Sequence, residues 1–262
     1  MTTDAILELD AVNKRFGGLA VVDGLSFSVR RGSVTGLIGP NGAGKTTIFN
    51  LITGLDPVDG GRIVLNGHDI TDFPARHRIR YGVARSFQNI RLMPHLTVLE
   101  NILLGQHCRN CGLSGVLQPL SLFPRNRWRE EAREALFEAG LAGYERATAA
   151  DLPYGIQKRV ELVRALMAAP RLLLLDEPAA GLNPAETDFL QDELETLCAK
   201  RGITLLIVEH DMQFIGALCE HVVVLNFGRR IAGGAPDEIR NDPLVREAYL
   251  GTEEPAEARH AS

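Results

Sequence analysis

Residues 39–46 read Gly-Pro-Asn-Gly-Ala-Gly-Lys-Thr, a G-x-x-x-x-G-K-[ST] segment, and no other stretch restricts the fold as tightly. Such a segment functions only as the turn from a strand into a helix. Val34 to Ile38 is a short apolar run that supplies the strand. Ile48, Phe49 and Ile52 fit one face of the following helix, which Gly54 ends with Pro57 beyond it. Gly39, Gly42 and Gly44 let backbone N–H groups turn inward toward a phosphate, with Pro40, Asn41 and Ala43 between them. The helix opens on Lys45, Thr46 and Thr47 and aims its positive end at the same phosphates. Lys45 is expected to reach the β- and γ-phosphates, and the Thr46 hydroxyl to meet Mg2+.

A second constellation is the run Leu172-Leu-Leu-Leu-Asp176-Glu177. A buried strand ending in two carboxylates places them at the carboxyl edge of a sheet, beside the phosphate loop. There Asp176 would hold Mg2+ through water and Glu177 would polarise an attacking water.

The rest of the chain sets these motifs in an α/β frame. Leu25, Phe27 and Val29 alternate with polar residues, as do Ile63 and Leu65, and Asn66-Gly67 offers the positive φ of a hairpin turn. Residues 1–84 are thus expected to form an antiparallel β-subdomain and the phosphate-loop part of a mixed-sheet core. From 85 to 170 strand signals fade. Trp128 to Ala139 reads as a solvated helix, and Ile156, Val160, Val163 and Met167 form one buried helical stripe, so an inserted helical subdomain is expected. Residues 171–251 alternate strand and helix and complete the core. Ile203 to Val208 and Val222 to Leu225 are the strands, and Arg230 to Ala232 follows the Phe227-Gly228 turn. Asn183, Pro184 and Glu186 predict a capped helix whose apolar face carries Phe189, Leu190, Leu194 and Leu197. The polar end, 252–262, is expected to be disordered.

Composition narrows the function. Of 262 residues, 45% are hydrophobic and 23% charged, which excludes collagenous, coiled-coil and disordered classes. No apolar run approaches the roughly 18 residues needed to cross a bilayer, and the first residues lack a signal-peptide pattern. A cytosolic-type chain is expected, reaching a membrane only through a partner. The net charge of −5 offers no footprint for wrapping nucleic acid. Four cysteines are too few for a disulfide scaffold. Cys108 and Cys111, with His107 beside them, form a C-x-x-C that no second ligand pair follows; two ordinary thiols are the plainer reading than a metal site. Cys198 and Cys219 read as core packing.

With both motifs in place, further residues fall into order. Phe16 precedes the phosphate loop, Gln88 lies in Ser86-Phe-Gln-Asn, Ala180-Gly-Leu-Asn183 follows Glu177, and His210 follows the strand Ile203 to Val208. In this order they resemble the nucleotide-binding subunits of ABC transporters, over nearly the whole chain. The resemblance implies a P-loop NTPase fold of the ABC ATPase kind. It implies that Phe16 stacks on adenine, that Gln88 is the Q-loop glutamine joining Mg2+ to the helical subdomain, and that His210 is the switch histidine on the γ-phosphate. It also makes Asn183 part of the D-loop. Leu152-Pro153-Tyr154-Gly155-Ile156-Gln157 falls where the family has Leu-Ser-Gly-Gly-Gln, the signature that covers the ATP of a second subunit. Pro153 and Tyr154 depart from that pattern, as Asn183 departs from the usual D-loop aspartate.

Within the family, Phe87-Gln-Asn-Ile-Arg91, Leu96-Thr-Val-Leu-Glu-Asn101, Pro178-Ala-Ala-Gly-Leu-Asn-Pro184, Glu209-His-Asp-Met212 and Arg246-Glu-Ala-Tyr-Leu-Gly251 look like the ATPases of branched-chain amino acid importers. The resemblance implies ATP and Mg2+ as cofactors, integral-membrane permease subunits and indirectly a substrate-binding protein as partners, and a peripheral place on the cytoplasmic face of the inner membrane. The partner ATPase is expected to be a different subunit, because Pro153 lacks both the signature hydroxyl and a backbone N–H. The helical insertion is expected to dock the permease through Val98, Leu99, Ile102 and Leu103. A lipid or lipopolysaccharide exporter ATPase and a catalytically weak regulatory subunit are the alternatives. A DNA-repair or translation ATPase fits less well, since the chain has one phosphate loop and no heptads.

Overall fold

The structure is a computed structural model, described for residues 4–86, 90–106 and 127–250. Two sheets organise it. β1 (Ala5–Phe16), β2 (Leu19–Arg30), β4 (Gly60–Leu65) and β5 (His68–Asp69) form an antiparallel sheet in the order β2-β1-β4-β5. Leu25, Phe27 and Val29 lie on its buried face, as do Ile63 and Leu65. The β4–β5 turn places Asn66 at φ 52° and Gly67 at φ 79°, the pair of positive angles that an Asn-Gly hairpin turn requires.

The second sheet runs β10-β9-β3-β8-β7-β6. β3 (Val34–Ile38), β6 (Val83–Arg85), β7 (Leu172–Asp176), β8 (Thr204–Val208) and β9 (His221–Asn226) are parallel, and β10 (Arg229–Gly234) pairs antiparallel at the edge. β3, β7 and β8 are buried along their full length, and in β7 and β8 this shows as the unbroken apolar runs Leu172–Leu175 and Leu205–Val208 instead of alternation. Since β3 and β7 are separated only by β8, the phosphate loop and the two carboxylates emerge from the same edge.

Helices cover the faces. α1 (Lys45–Thr53) follows the phosphate loop and α2 (Ala75–Arg78) precedes β6. α3 (Val98–Gln106), α4 (Arg127–Glu138) and α5 (Tyr154–Leu166) pack on one another around Val98, Leu99, Ile102, Leu136, Val160 and Val163. α6 (Pro184–Arg201), α7 (Met212–Leu218), α8 (Pro236–Asn241) and α9 (Pro243–Leu250) complete the molecule. The Asn183–Glu186 capping box forms as the sequence predicts, with Pro184 at the first helical position.

Two expectations need revision, and two concern segments outside the described residues. Phe189 does not join the apolar face of α6: it is 47% exposed, with the Arg159 guanidinium 4.2 Å from its ring centroid. Val98, Leu99 and Ile102, expected to dock a partner, are buried inside the helical subdomain, while Leu104 and Met93 face outward. Helical spacing identifies an apolar face but not which neighbour covers it. The C-x-x-C at Cys108 and Cys111 and the tail 252–262 lie outside the described residues. Cys219 is buried and Cys198 half-buried, and burial pushes their thiols up to about 12 and about 11.

A buried arginine braces the base of α1. Arg78 is 1% exposed and donates to the carbonyls of Leu51, Ile52 (3.0 Å), Thr71 (2.8 Å) and Phe73 (2.7 Å). Leu51 and Ile52 belong to the last turn of α1, whose carbonyls lack partners within the helix. Burial lowers the Arg78 pKa, with Asp72 acting against it.

Candidate active site

The phosphate loop is shaped by backbone that only glycine accommodates. Gly39 has φ 152°, and a Cβ there would meet the Leu225 carbonyl oxygen at 2.3 Å. Gly44, at φ 100°, begins α1, and a Cβ on it would meet the Val21 carbonyl oxygen at 2.8 Å. Ala43 N–H donates back to the Pro40 carbonyl at 3.1 Å and Gly228 N–H to the Ala43 carbonyl at 3.1 Å, closing the turn against β9–β10. Gly39, Pro40, Ala43 and Gly44 are buried, Asn41, Gly42 and Thr46 are exposed, and Thr47 is half-buried.

Lys45 folds over this loop. Its Nζ donates to the Gly39 carbonyl at 2.6 Å and the Pro40 carbonyl at 3.0 Å. Burial lowers its pKa, and the carboxylates of Glu177 and Asp176 oppose that effect, so one cation and two acids share the site. Asp176, at the end of β7, is 4% exposed. Its Oδ2 pairs with Arg85 Nη2 at 2.6 Å.

Glu177 adopts φ 48°, a left-handed conformation that costs a bulky residue energy and is held by its surroundings. Its N–H donates to the Val208 carbonyl at 2.8 Å, and its carbonyl accepts from Ala180 N–H at 3.2 Å and from Lys158 Nζ at 3.2 Å. His210 is exposed beyond β8, with Nδ1 3.8 Å from Glu209 Oε2. Phe16 ends β1, 48% exposed, with Lys14 Nζ 5.2 Å from its ring centroid. The Val21 contact with Gly44 makes the hairpin that carries Phe16 a border of the loop. Gln88 lies outside the described residues; Ser86, two residues earlier, is tied to the Leu174 carbonyl at 2.9 Å.

The signature segment opens α5. Leu152 is buried and Pro153 and Tyr154 are exposed, so the helix start is open for contact. Pro153 occupies the cap position and gives no side-chain cap. Tyr154 Oη is 3.4 Å from the Ala180 carbonyl, and Gln157 Nε2 donates to the Leu152 carbonyl at 2.8 Å. Gly155 is buried against Glu186: a Cβ there would meet Glu186 Oε1 at 2.4 Å. Asn183, the D-loop variant, uses its side chain to cap α6 by accepting from Glu186 N–H at 3.0 Å.

Sequence reasoning missed three site residues. Glu209 is 1% exposed and accepts from Ala179 N–H at 2.9 Å and His210 N–H at 3.2 Å, tying the segment after β8 to the one after β7. Its carboxyl is pushed up first by burial, against the hydrogen bonds from Ala179 and His210. A carboxylate ending an apolar strand run is the signal already used for Asp176 and Glu177, and it was readable here too. Lys158 lies one turn along α5 from Tyr154, a spacing that was also legible; burial lowers its pKa against four neighbouring acids. Arg85 gave no such signal, because its strand is only three residues long.

The chain matches the family described as ABC transporter over residues 22–180, and the family described as branched-chain amino acid ATP-binding cassette transporter over residues 229–255. It is 42% identical to the high-affinity branched-chain amino acid transport ATP-binding protein BraF of Pseudomonas aeruginosa, covering 94% of this chain and 98% of the relative. It is 40% identical to the corresponding protein LivG of Salmonella typhimurium, covering 94% of this chain and 98% of that protein. Among solved structures, the ADP conformation of an ATP-binding cassette of an ABC transporter superposes with TM-score 0.85 at 35% identity, covering 95% of this chain and all of the other.

Proposed function

Because the chain belongs to the ABC transporter ATP-binding family and is an ATP hydrolase of such a transporter, we propose that it drives import of branched-chain amino acids from the cytoplasmic face of the membrane. The convergence of Lys45, Asp176 and Glu177 at one sheet edge carries the catalytic half of this reading. The matches to BraF and LivG and the branched-chain family match over residues 229–255 carry the substrate half. These relatives have amino-acid transport in their names, not lipid export.

ATP lies with its phosphates against Gly39–Thr47 and its adenine on Phe16. Lys45 exchanges its two carbonyl partners for phosphate oxygens. Glu177 orients water, and His210 contacts the γ-phosphate from the end of β8. Catalysis of this kind is positioning plus electrostatics. The donors offered to a metal by Thr46, Asp176 and Gln88 are all oxygens, which suits Mg2+; when bound, the ion neutralises phosphate charge.

Among the described residues no helix is long and apolar enough to cross a membrane, so transport requires membrane permease subunits. Their docking face is an apolar groove of about 470 Å³ bounded by α1, α2, β6, α3 and α5, rimmed by the exposed Leu55, Met93 and Leu104. This replaces Val98, Leu99 and Ile102 in that role. Met93→Asp with Leu104→Asp is expected to abolish transport and leave ATP hydrolysis near wild type; surviving transport rejects the groove.

The partner ATPase is a different subunit. In a homodimer both nucleotides would meet Pro153, and losing one charge-assisted hydrogen bond per site costs roughly 1.5–3 kcal/mol, tenfold or more in closure. The isolated Glu177→Gln chain with ATP is expected to stay monomeric; a stable wild-type homodimer that turns over as fast as the full assembly refutes the heterodimer.

Reconstitution of the chain with its permease and partner ATPase in proteoliposomes tests the whole reading. Leucine-loaded binding protein is expected to stimulate hydrolysis several-fold. Stimulation by another solute, with none by leucine, isoleucine or valine, overturns the substrate.

A further inference from the structure

The direct ion-pair partner of Asp176 is Arg85, three residues before Gln88. Both side chains are buried, 5% and 6% exposed, and Nη2 stands 2.6 Å from Oδ2. The other arm of the same guanidinium, Nη1, donates to Asn50 Oδ1 at 2.7 Å, and its carbon lies 5.3 Å from the centroid of the Phe49 ring. Phe49 and Asn50 belong to α1, the helix that carries Lys45 and Thr46. One planar side chain therefore joins the acid at the end of β7 to the phosphate-loop helix. The planar fork of an arginine can do both at once; the single point charge of a lysine cannot.

A carboxylate this well buried needs a counter-charge. Lys45 acts on Asp176 only through space, since its own hydrogen bonds go to Gly39 and Pro40. We propose that Arg85 is the resident counter-ion of Asp176 in the nucleotide-free protein, that Mg2+ arriving with ATP takes over part of that role, and that Arg85 thereby sets the metal affinity of the site. The proposal rests on the ATPase reading above. Arg85 is a positioning residue: it acts on the metal through Asp176, touching neither metal nor nucleotide. Two cations sharing one carboxylate repel each other, so the arginine holds metal affinity down while it keeps the empty site folded. Removing its charge leaves Asp176 buried without its direct partner, and Mg2+ then relieves that penalty on binding.

The test is a Mg2+ titration of the full chain in the presence of a fluorescent, non-hydrolysable ATP analogue. Arg85→Met is expected to bind Mg2+ about tenfold more tightly, the order of effect that removing one like charge has at a buried site. Arg85→Lys, which keeps the charge and gives up Asn50, is expected to stay within about twofold of wild type. A merely structural role predicts the opposite sign, since a loosened site holds metal and nucleotide less well. Unchanged or weaker Mg2+ binding by Arg85→Met overturns the proposal. Arginine side-chain 15N spectra of the wild-type protein test it without relying on a neutral variant that folds. The Arg85 signals, assigned with Arg85→Lys, are expected to be restrained without metal and to change when Mg2+ joins the bound analogue. Signals indifferent to Mg2+ also overturn it. Wild-type protein that fails to bind the analogue at all rejects the ATPase reading instead.

Discussion

Lys45→Ala separates nucleotide binding from folding, and the structure sets the size of each effect. In the free protein Nζ makes two hydrogen bonds, to the Gly39 and Pro40 carbonyls. With Lys45 placed on phosphate as proposed, ATP binding would exchange these neutral carbonyl acceptors for charged phosphate oxygens. The net gain is of the order of one charge-assisted hydrogen bond, about 1.5–3 kcal/mol, or roughly ten- to 150-fold in affinity. Stability behaves differently. Burial already disfavours the ammonium, as its lowered pKa reports, and Asp176 keeps its partner Arg85 when Lys45 is removed. The apo protein is therefore expected to change its Tm by no more than about 2–4 °C, the shift produced by ~1 kcal/mol in a chain of this size class. Calorimetric titration with Mg-ATP, beside thermal unfolding of the apo protein, measures both. Unchanged affinity in a folded variant would refute the placement of Lys45 on phosphate. An affinity loss matched by a collapse of Tm would make it a scaffold residue instead.

Three further outcomes follow from the same geometry. Glu177→Gln is expected to keep ATP affinity within a few-fold and to lose roughly 10²–10⁴ in hydrolysis rate, measured by phosphate release. Arg78→Met strips a charged donor from four carbonyls in a buried pocket; urea unfolding is expected to show a loss of about 3–5 kcal/mol, with ATP affinity falling as the end of α1 loosens. The raised Glu209 pKa means that the fold favours the protonated acid: this contribution is fully present below about pH 4.3, the unfolded value, and is lost as pH rises through the folded one. Glu209→Gln removes that dependence, so the variant is expected to gain stability on wild type as pH rises from 4 toward neutrality; parallel pH profiles would contradict it.

The parts of this molecule that were legible in the sequence are those where one local rule decides. The phosphate loop needs glycine at fixed places, the α6 cap needs Asn183 and Glu186 three apart, and β7 and β8 carry unbroken apolar runs because both faces are covered. The rest depends on partners distant in sequence. Arg85 and Asp176 are 91 positions apart, Arg78 and Leu51 27, and Glu209 and Ala179 30, and no periodicity records such pairings. Phe189 shows the same limit in reverse: it carries the helical period of a core residue, yet Arg159 covers it at the surface. An amphipathic arginine can shield an aromatic face that the sequence pattern assigns to the interior.

The long-range pairings share one object, helix α1. Its first turn is pinned by the phosphate loop, where Gly44 abuts the Val21 carbonyl. Its flank is held by Arg85 through Phe49 and Asn50, and its last turn by Arg78 through Leu51 and Ile52. Both arginines come from one short stretch, 78–85, that leads directly toward Gln88. The helix that begins with Lys45 and Thr46 is thus gripped by the segment that runs up to Ser86. A grip of two buried guanidiniums transmits displacement well, because each bond that a shift breaks leaves a buried charge or carbonyl without its partner. A displacement of the 78–85 segment would therefore disturb Asp176 and α1 together. With the apolar groove lying against the same helix and strand, that shared movement is what a docked membrane subunit would feel.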